Sequence, residues 1–183
     1  MATRVEVKAN SAKEFAGIAA NAFVSNGNMH PGTVLAALAR MGGTYLFRSF
    51  NLSLHGVVPG QAVLSVSADS EAPKLLQIVG AVLANTGIAI DNTQAGTPTD
   101  PKHRPALTFL VTQRKLEAAF KPIKERDALT DLEAAHAAAA AAAMVIQHCA
   151  KAMDPTVGFG IAAFAFIEGA KTAPDPVSLT HVA

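Results

Sequence analysis

A carboxylate and an imidazole three residues apart form the pattern in this sequence that points most directly to metal chemistry. Glu133 and His136 have the E-x-x-H spacing, which places both on one helical face, as in the di-iron and di-manganese centres of helical bundles. Such a centre needs two copies of the motif, and the chain has one. Glu133 also forms a capping box with Thr130. We therefore expect a capping glutamate and a histidine beside a packed helix face, with metal binding by Glu133 and His136 as the alternative.

Tyr45 and Arg48 form a second candidate site, because they are polar residues in a largely apolar helix. A half-buried arginine binds carboxylate or phosphate through its planar guanidinium group. Arg40 lies roughly opposite Gly42 on the helical wheel, so we expect it to face solvent. Arg48 lies near the helix end, where the backbone dipole also favours a cation. Tyr45 and Arg48 are therefore predicted to bind a ligand.

Three histidines, His30, His55 and His103, fall in predicted loops or at helix edges. A loop histidine can act as a general base or as a pH sensor. The sequence has no serine, cysteine or paired carboxylate at a spacing that would complete a catalytic set. Surface or capping roles are therefore expected, and His103, in the long polar segment 90–105, is the one added to the predicted ligand-binding residues.

Composition argues against several other function classes. The net charge is +1, without the basic stripe expected of a nucleic-acid-binding protein. No glycine-rich nucleotide-binding motif occurs, and no cofactor is expected. The single cysteine, Cys149, rules out an intrachain disulfide and a cysteine-based zinc cluster. The first residues lack the apolar core of a signal peptide, and the apolar stretch 157–167 is shorter than the roughly 18 residues of a membrane span. We expect a cytoplasmic protein with no membrane partner.

Alanine dominates the apolar part of the sequence. Residues 134–144 read AAHAAAAAAAM, and alanine is the best helix former because it loses no rotamer freedom. Hydrophobic residues make up 50% of the chain and charged residues 16%, against a usual charged share of roughly 25%. Much small apolar surface must then be exposed or covered by another subunit. A homo-oligomer is therefore predicted.

Capping signals and apolar periodicity predict six helices. The first helix is expected to begin at a capping box of Ser11 and Glu14, the second at His30-Pro31, and the third at about Ser70, with Pro73 in its first turn. The fourth is expected from about 105 to 120, with a break at Lys121-Pro122. The fifth is expected to begin at a capping box from Thr130 to Glu133, and the sixth at Asp154-Pro155. Segment 61–67 is predicted to be a short strand or an extended loop, and the tail from about 173 to be loose.

Packing signals place the second, fifth and sixth helices at the centre. Gly42-Gly43 predicts a close helix crossing. The fifth helix shows a seam with spacings of three and four: Leu132, Ala135, Ala139, Ala142, Ile146, Cys149 and Met153. The sixth helix is apolar all round, which indicates a place at the bundle centre or at a subunit interface. The expected fold is one all-α domain over residues 1–183, a compact bundle of about six helices.

Two functional hypotheses follow. The first is a soluble, oligomeric helical protein that binds a partner or a small ligand without catalysis. The second is an enzyme with a site between helices, using either Glu133 and His136 with a metal, or Arg48 and His103 on an anionic substrate. The lack of a complete catalytic set favours the first hypothesis.

Overall fold

The computed structural model of the chain describes residues 3–25, 28–91, 93 and 100–175. Within these residues the chain forms six α-helices: α1 (Arg4–Ala22), α2 (Pro31–Ser49), α3 (Val66–Asn85), α4 (Phe109–Arg126), α5 (Asp131–His148) and α6 (Pro155–Ala170). Two short strands between α1 and α2, β1 (Val24–Ser25) and β2 (Asn28–Met29), pair antiparallel. A 3₁₀ turn, Pro101–His103, precedes α4. The predicted all-α bundle of about six helices is confirmed.

Helix α2 lies at the centre of the bundle. It begins where the sequence predicts, because the ring of His30 accepts a hydrogen bond from the Thr33 amide at 3.1 Å and Pro31 occupies the first helical position. Every residue from Gly32 to Phe47 is buried. Helices α5 and α6 make the most extensive contacts with α2, while α1, α3 and α4 pack around these three. A helix enclosed on all sides explains why its sequence is almost wholly apolar.

Small side chains let α5 pack against α1, α2 and α3 together. Ten of its 18 residues are buried, which is more than one apolar stripe would supply. Four residues of the predicted seam within the helix are buried: Ala135, Ala139, Ala142 and Ile146. Leu132 is instead 41% exposed, so the seam starts one turn later than predicted. The capping box is confirmed, since the amide of Glu133 donates to Thr130 Oγ1 and the amide of Thr130 donates to Glu133 Oε2.

Glycines bring the backbones of α2 and α6 into direct contact. A Cβ atom placed on Gly43 would lie 2.6 Å from the amide nitrogen of Ala170 and 2.7 Å from the Cα of Gly169. A Cβ atom placed on Gly42 would lie 2.6 Å from the ring of Phe166. No side chain fits at such distances, so the close crossing predicted from Gly42-Gly43 is confirmed. Helix α6 also begins as predicted, with Asp154 as its N-cap.

The outer side of α6 is exposed rather than packed inside the bundle. Phe164 is 67% exposed and Ile167 is 44% exposed, whereas Ala162 and Phe166 are fully buried. Helix α6 therefore buries one face against α2, and among the described residues its opposite, apolar face is exposed. The sequence predicted either the bundle centre or a subunit interface for this helix. A position at the bundle centre explains only the buried face of α6.

The start of α1 differs from the prediction. The helix begins at Arg4, with a capping box formed by Thr3 and Glu6, rather than at Ser11. Ser11 is buried in mid-helix, and its hydroxyl lies 2.9 Å from the Val7 carbonyl oxygen and 2.8 Å from Asp127 Oδ2. The Ser11 to Glu14 spacing thus mimics a capping box, while the serine actually contacts a carboxylate from the end of α4.

Prolines also fail to mark helix limits in α3 and α4. Helix α3 begins at Val66, so Pro73 lies inside it, and α4 begins at Phe109 and continues through Pro122 to Arg126. A proline in a helix removes one N–H donor and favours a break. Leu75 and Ile123, which follow these prolines, are both buried. Tertiary packing of the next turn therefore outweighs the local preference.

Residues 172–175 are packed against the chain that precedes α3. The amide of Gly60 donates to the Ala173 carbonyl at 2.8 Å, and the amide of Ala173 donates to the Gln61 carbonyl at 2.9 Å. Ala62 and Thr172 form an antiparallel bridge. The extended segment predicted near 61–67 is thus present up to Ser65, whereas 173–175 differ from the predicted loose tail. Residues 176–183, and 92 and 94–99 of the predicted loop, lie outside the described residues.

Gly43→Ala is predicted to lower the free energy of unfolding by about 3 kcal/mol, because the added methyl group must separate two packed backbones. Gly17→Ala is the matched control: Gly17 lies inside α1 with nothing within 4 Å of a new Cβ. This control should raise stability by up to about 1 kcal/mol through helix propensity. Denaturant unfolding of both variants tests the pair, and a Gly43→Ala protein as stable as the wild type would contradict the crossing.

Candidate functional site

The last turn of α2 carries both polar residues predicted as ligand-binding in that helix. Tyr45 and Arg48 are three residues apart, which places their side chains on one face of the helix. Tyr45 is 2% exposed, and the Arg48 side chain is 19% exposed. Burial decreases after Phe47, so this turn is where the enclosed helix approaches solvent. The structure therefore brings Tyr45 and Arg48 together at a partly open edge of the core.

Arg48 is paired with Glu117, a residue of α4. Arg48 Nη2 donates to Glu117 Oε2 at 3.1 Å, and Arg48 Nη1 forms an ion pair with Glu117 Oε1. Burial raises the pKa of Glu117, although the positive charge of Arg48 and a hydrogen bond from Gln113 act in the opposite direction. The carboxylate oxygens of Glu117 thus contact the outer end of the guanidinium group, that is, its two Nη atoms.

Gln113 holds both Glu117 and the chain after α6 in place at this site. It is fully buried, and its side chain donates to both Glu117 Oε2 and the carbonyl of Asp175, while its Oε1 accepts from the Asp175 amide at 3.1 Å. Arg114 Nε donates to Asp175 Oδ2 at 2.5 Å. Helix α4 thus holds the chain beyond α6 against the site.

Lys124 and Asp131 close the site at the junction of α4 and α5. Lys124 Nζ lies 3.0 Å from Asp131 Oδ1 and 6.0 Å from the centre of the Tyr45 ring. The Lys124 side chain is 28% exposed, so it is largely enclosed. A second cation therefore stands beside Arg48.

A cleft of about 480 Å³ opens between α2 and α4 at these residues. Its lining combines four basic and three acidic side chains with one aromatic ring: Tyr45, Arg48, Arg114, Glu117, Ala118, Lys121, Lys124, Glu125 and Asp175. A smaller cavity of about 180 Å³ lies beside it and shares Arg48 and Lys124. We call the larger cavity the α2–α4 cleft.

Two buried polar atoms of the cleft residues have no hydrogen-bond partner. Among the described residues, the buried side-chain polar atoms without a partner are Thr44 Oγ1, the Tyr45 hydroxyl and Arg48 Nε. Burial, with the nearby charge of Glu117, raises the pKa of Tyr45, so its phenol stays protonated at neutral pH. Buried polar groups are almost always paired, and exceptions mark strain or a site for a water, ion or ligand. Tyr45 and Arg48 are such exceptions, side by side in one cleft.

His103 lies at the opposite end of α2. Its backbone carbonyl packs against Gly32, and the position of Gly32 is about 24 Å from that of Arg48 along the helix, at 1.5 Å per residue. His103 lines a separate open pocket with Asp100, Lys102 and Asp154. The structure therefore does not place His103 with the other two predicted ligand-binding residues.

Glu133 and His136 lie at a third location. The Glu133 carboxylate is held by the capping box and by Arg4, whose Nε donates to Oε1 at 2.7 Å. His136 is half-buried, and burial together with the charge of Lys8 lowers its pKa. Residues 3–25, 28–91, 93 and 100–175 contain no group of three or more His, Cys, Asp or Glu side chains arranged to hold a metal. Glu133 thus already has a structural role, and metal binding by this pair remains a prediction.

The sequence did not single out Glu117, Gln113 or Lys124 as site residues. A signal was present, because spacings of four and seven place these polar residues on one side of α4. The spacing alone does not say which helix that side meets. Arg40 shows the same difficulty: it is 8% exposed rather than facing solvent, and it donates to Glu168 and to the Leu107 carbonyl, each at 2.7 Å.

No protein-family model, curated protein or solved structure matches the chain. Among the described residues no single helix is long and apolar enough to cross a membrane; the bent pair of α4 and α5, at 117°, meets those limits by length and composition alone. Functional conclusions therefore rest on the geometry of the α2–α4 cleft.

Acid is predicted to weaken the contact between α1 and the α4–α5 turn. Hydrogen bonds from Arg4 and Thr130 lower the pKa of Glu133 to about 2, and bonds from Arg126 and Ser11 lower that of Asp127 to about 2. A carboxylate whose pKa is lowered by folding adds stability above its unfolded pKa, and this is lost as the pH falls from about 5 towards 2. Unfolding followed across this range should show that loss.

Arg4→Gln should lower stability at neutral pH and flatten the acid-induced loss, because Glu133 then loses its strongest partner. Lys74→Gln is the matched control, since its pairing with Glu71 is on the surface. An Arg4→Gln protein with the same pH dependence as the wild type would show that this ion pair adds nothing to stability.

Proposed function

We propose that this protein binds a small ligand in the α2–α4 cleft without catalysing a reaction, and that it acts as a homo-oligomer in the cytoplasm. The observation that carries the ligand proposal is the pair of unpartnered buried polar atoms, the Tyr45 hydroxyl and Arg48 Nε, on two residues lining one cleft. A bound molecule would supply the missing hydrogen bonds. The cytoplasmic location is proposed from sequence, since a chain with one cysteine suits a reducing compartment.

Size and lining support a small-molecule site. Ligand pockets usually have volumes of roughly 300–1,000 Å³ and combine apolar walls with a few fixed polar groups, and the α2–α4 cleft has about 480 Å³. The Arg48 and Glu117 side chains are held in place, because Glu117 pairs with Arg48 and Gln113 donates to Glu117. Rigid groups lose little conformational entropy when a ligand binds.

Binding without catalysis is favoured by where the other candidate groups lie. An enzyme using Arg48 and His103 would need both at one substrate, and they lie at opposite ends of α2. An enzyme using Glu133 and His136 would need a metal, and Glu133 is occupied by Arg4 and Thr130. The α2–α4 cleft has donors that can hold a ligand, and neither predicted catalytic pair lies within it.

Ala118→Trp tests the cleft directly. Ala118 lines the cleft and is exposed, so an indole there should fill the space while leaving Tyr45 and Arg48 unchanged. Ligand-observed NMR with a panel of small carboxylates, phosphates, amides and amines should detect binding to the wild type. Binding should fall at least tenfold in Ala118→Trp.

Val111→Trp is the matched control, because Val111 is an exposed residue of the same helix outside the cleft lining. It should bind the same compounds as the wild type. If no compound bound, or if Ala118→Trp bound them as well as Val111→Trp, the cleft would not be a ligand site.

The homo-oligomer is supported by the uncovered face of α6. Phe164 and Ile167 of α6 are 67% and 44% exposed, and Leu64 and Val66 are 83% and 85% exposed. These last two follow a segment tied to the end of α6, since the amide of Val63 donates to the Lys171 carbonyl at 2.7 Å. Two copies of one apolar face can cover each other about a two-fold axis. We therefore propose that α6 of one subunit packs on α6 of another.

The double variant Phe164→Glu, Ile167→Glu is predicted to be monomeric, because it places like charges where two copies would meet. Size-exclusion chromatography with light scattering should show an oligomer for the wild type at micromolar concentration. Val5→Glu is the control, since it charges an equally exposed position on α1. A monomeric wild type, or an oligomer that survives the double variant, would overturn this interface.

A further inference from the structure

The pairing of Arg48 with Glu117 leaves the Nε edge of its guanidinium group without a hydrogen-bond partner. A guanidinium group has five N–H donors in a fixed planar fork and no acceptor. Glu117 spans the outer end of the fork, with Oε1 at Nη1 and Oε2 at Nη2. Both carboxylate oxygens are therefore used away from Nε, and Nε has no partner although it is buried. The group that completes this site must supply an acceptor to the Nε edge.

Tyr45 supplies a second donor beside this edge. Its side chain is 2% exposed and its hydroxyl has no partner. Burial keeps the phenol protonated, as the raised pKa of Tyr45 indicates, so the hydroxyl can donate to an incoming oxygen. Positions 45 and 48 are adjacent on the helix surface. Because both residues line the α2–α4 cleft, these two donors call for a group with two or more acceptor oxygens.

The charges around the α2–α4 cleft indicate whether the ligand group is anionic or neutral. Lys124, with Nζ 6.0 Å from the Tyr45 ring centre, adds a second cation beside Arg48. Each of the four basic side chains of the cleft lining is paired with a carboxylate, so the preference for an anion comes from Arg48 Nε, a donor of a cationic group that has no partner. Hydrogen bonds from cations to anionic oxygens are about twice as strong as neutral ones. These features favour an oxyanion over an amide or an alcohol.

Building on the ligand site proposed above, we propose that the α2–α4 cleft binds its ligand through an oxyanion, a carboxylate or a phosphate group. Its oxygens accept hydrogen bonds from Arg48 Nε and the Tyr45 hydroxyl, while Glu117 stays on the outer end of the guanidinium group. Arg48 is then shared between a permanent internal carboxylate and the anionic group of the ligand.

Four probes with the same aromatic ring test the ligand class: benzoate, phenyl phosphate, benzamide and benzylamine. Dissociation constants from NMR titration of the full chain should show binding of benzoate, phenyl phosphate or both, and the stronger of the two identifies the oxyanion. Benzamide should bind at least tenfold more weakly than that oxyanion, and benzylamine should not bind. Ala118→Trp should abolish binding of the oxyanion.

Tyr45→Phe and Arg48→Lys test the two donors. Tyr45→Phe removes only a hydroxyl that has no partner, so folding should be unaffected, and oxyanion binding should weaken about tenfold through loss of a charge-assisted hydrogen bond. Arg48→Lys keeps the positive charge but removes the Nε donor, and a similar loss is expected. Arg126→Lys, outside the cleft, is the control and should bind as the wild type does.

The outcomes separate this inference from the ligand site itself. Binding of benzamide or benzylamine that is sensitive to Ala118→Trp, without binding of either oxyanion, would overturn the oxyanion and keep the cleft as a ligand site. Oxyanion binding that Tyr45→Phe leaves unchanged would also overturn the inference, even if Arg48→Lys failed to fold. No binding of any probe in the cleft would overturn both proposals.

Discussion

Close approach of helix backbones to α2 is the constraint on which the rest of the structure depends. On one side Gly43 faces Gly169 of α6, where the backbones leave no room for a Cβ atom. On another side α5 presents alanines, ten of its residues being buried. Short side chains at these two contacts let the helix backbones approach closely, and larger buried side chains such as Phe15, Phe120 and Leu35 fill the rest of the interior. As a result, α2 is enclosed from Gly32 to Phe47.

The location of the cleft follows from this enclosure. Ionisable groups are costly to bury without partners, so the apolar length of α2 can hold few of them. The last turn is different, because burial decreases after Phe47 and α4 faces the helix with Glu117. A cation is also favoured at a helix C-terminus, where backbone carbonyls point outward. Arg48 therefore stands at a turn of α2 where the charge and its partner are both partly exposed to solvent.

Local capping signals predicted some of the helix limits and missed others. The N-caps of α2, α5 and α6 were found, because His30-Pro31, Thr130 with Glu133, and Asp154-Pro155 act within one turn. The starts of α1 and α3 were missed although local caps mark them, Thr3 with Glu6 in α1 and Ser65 in α3. The passage of α4 through Pro122 was missed because burial of the following turn decides it. The residues of the candidate site were likewise predicted only in part. Tyr45 and Arg48 were found as polar residues of an apolar helix, whereas the partners on α4 depend on which helices meet.

The two arginines of α2 show what distinguishes a structural residue from a binding residue in one helix. Arg40 is 8% exposed, and its Nε donates to Glu168 while its Nη1 donates to the Leu107 carbonyl. It joins α6 and the chain before α4 to α2, with its Nε edge occupied. Arg48 has a carboxylate at its outer nitrogens, but its Nε is buried without a partner. Residue type and helix are the same in both cases. The difference lies in which edge of the guanidinium group the protein itself fills. The Nε edge lacks a partner in Arg48, which lines a cleft together with a second unpartnered donor, Tyr45.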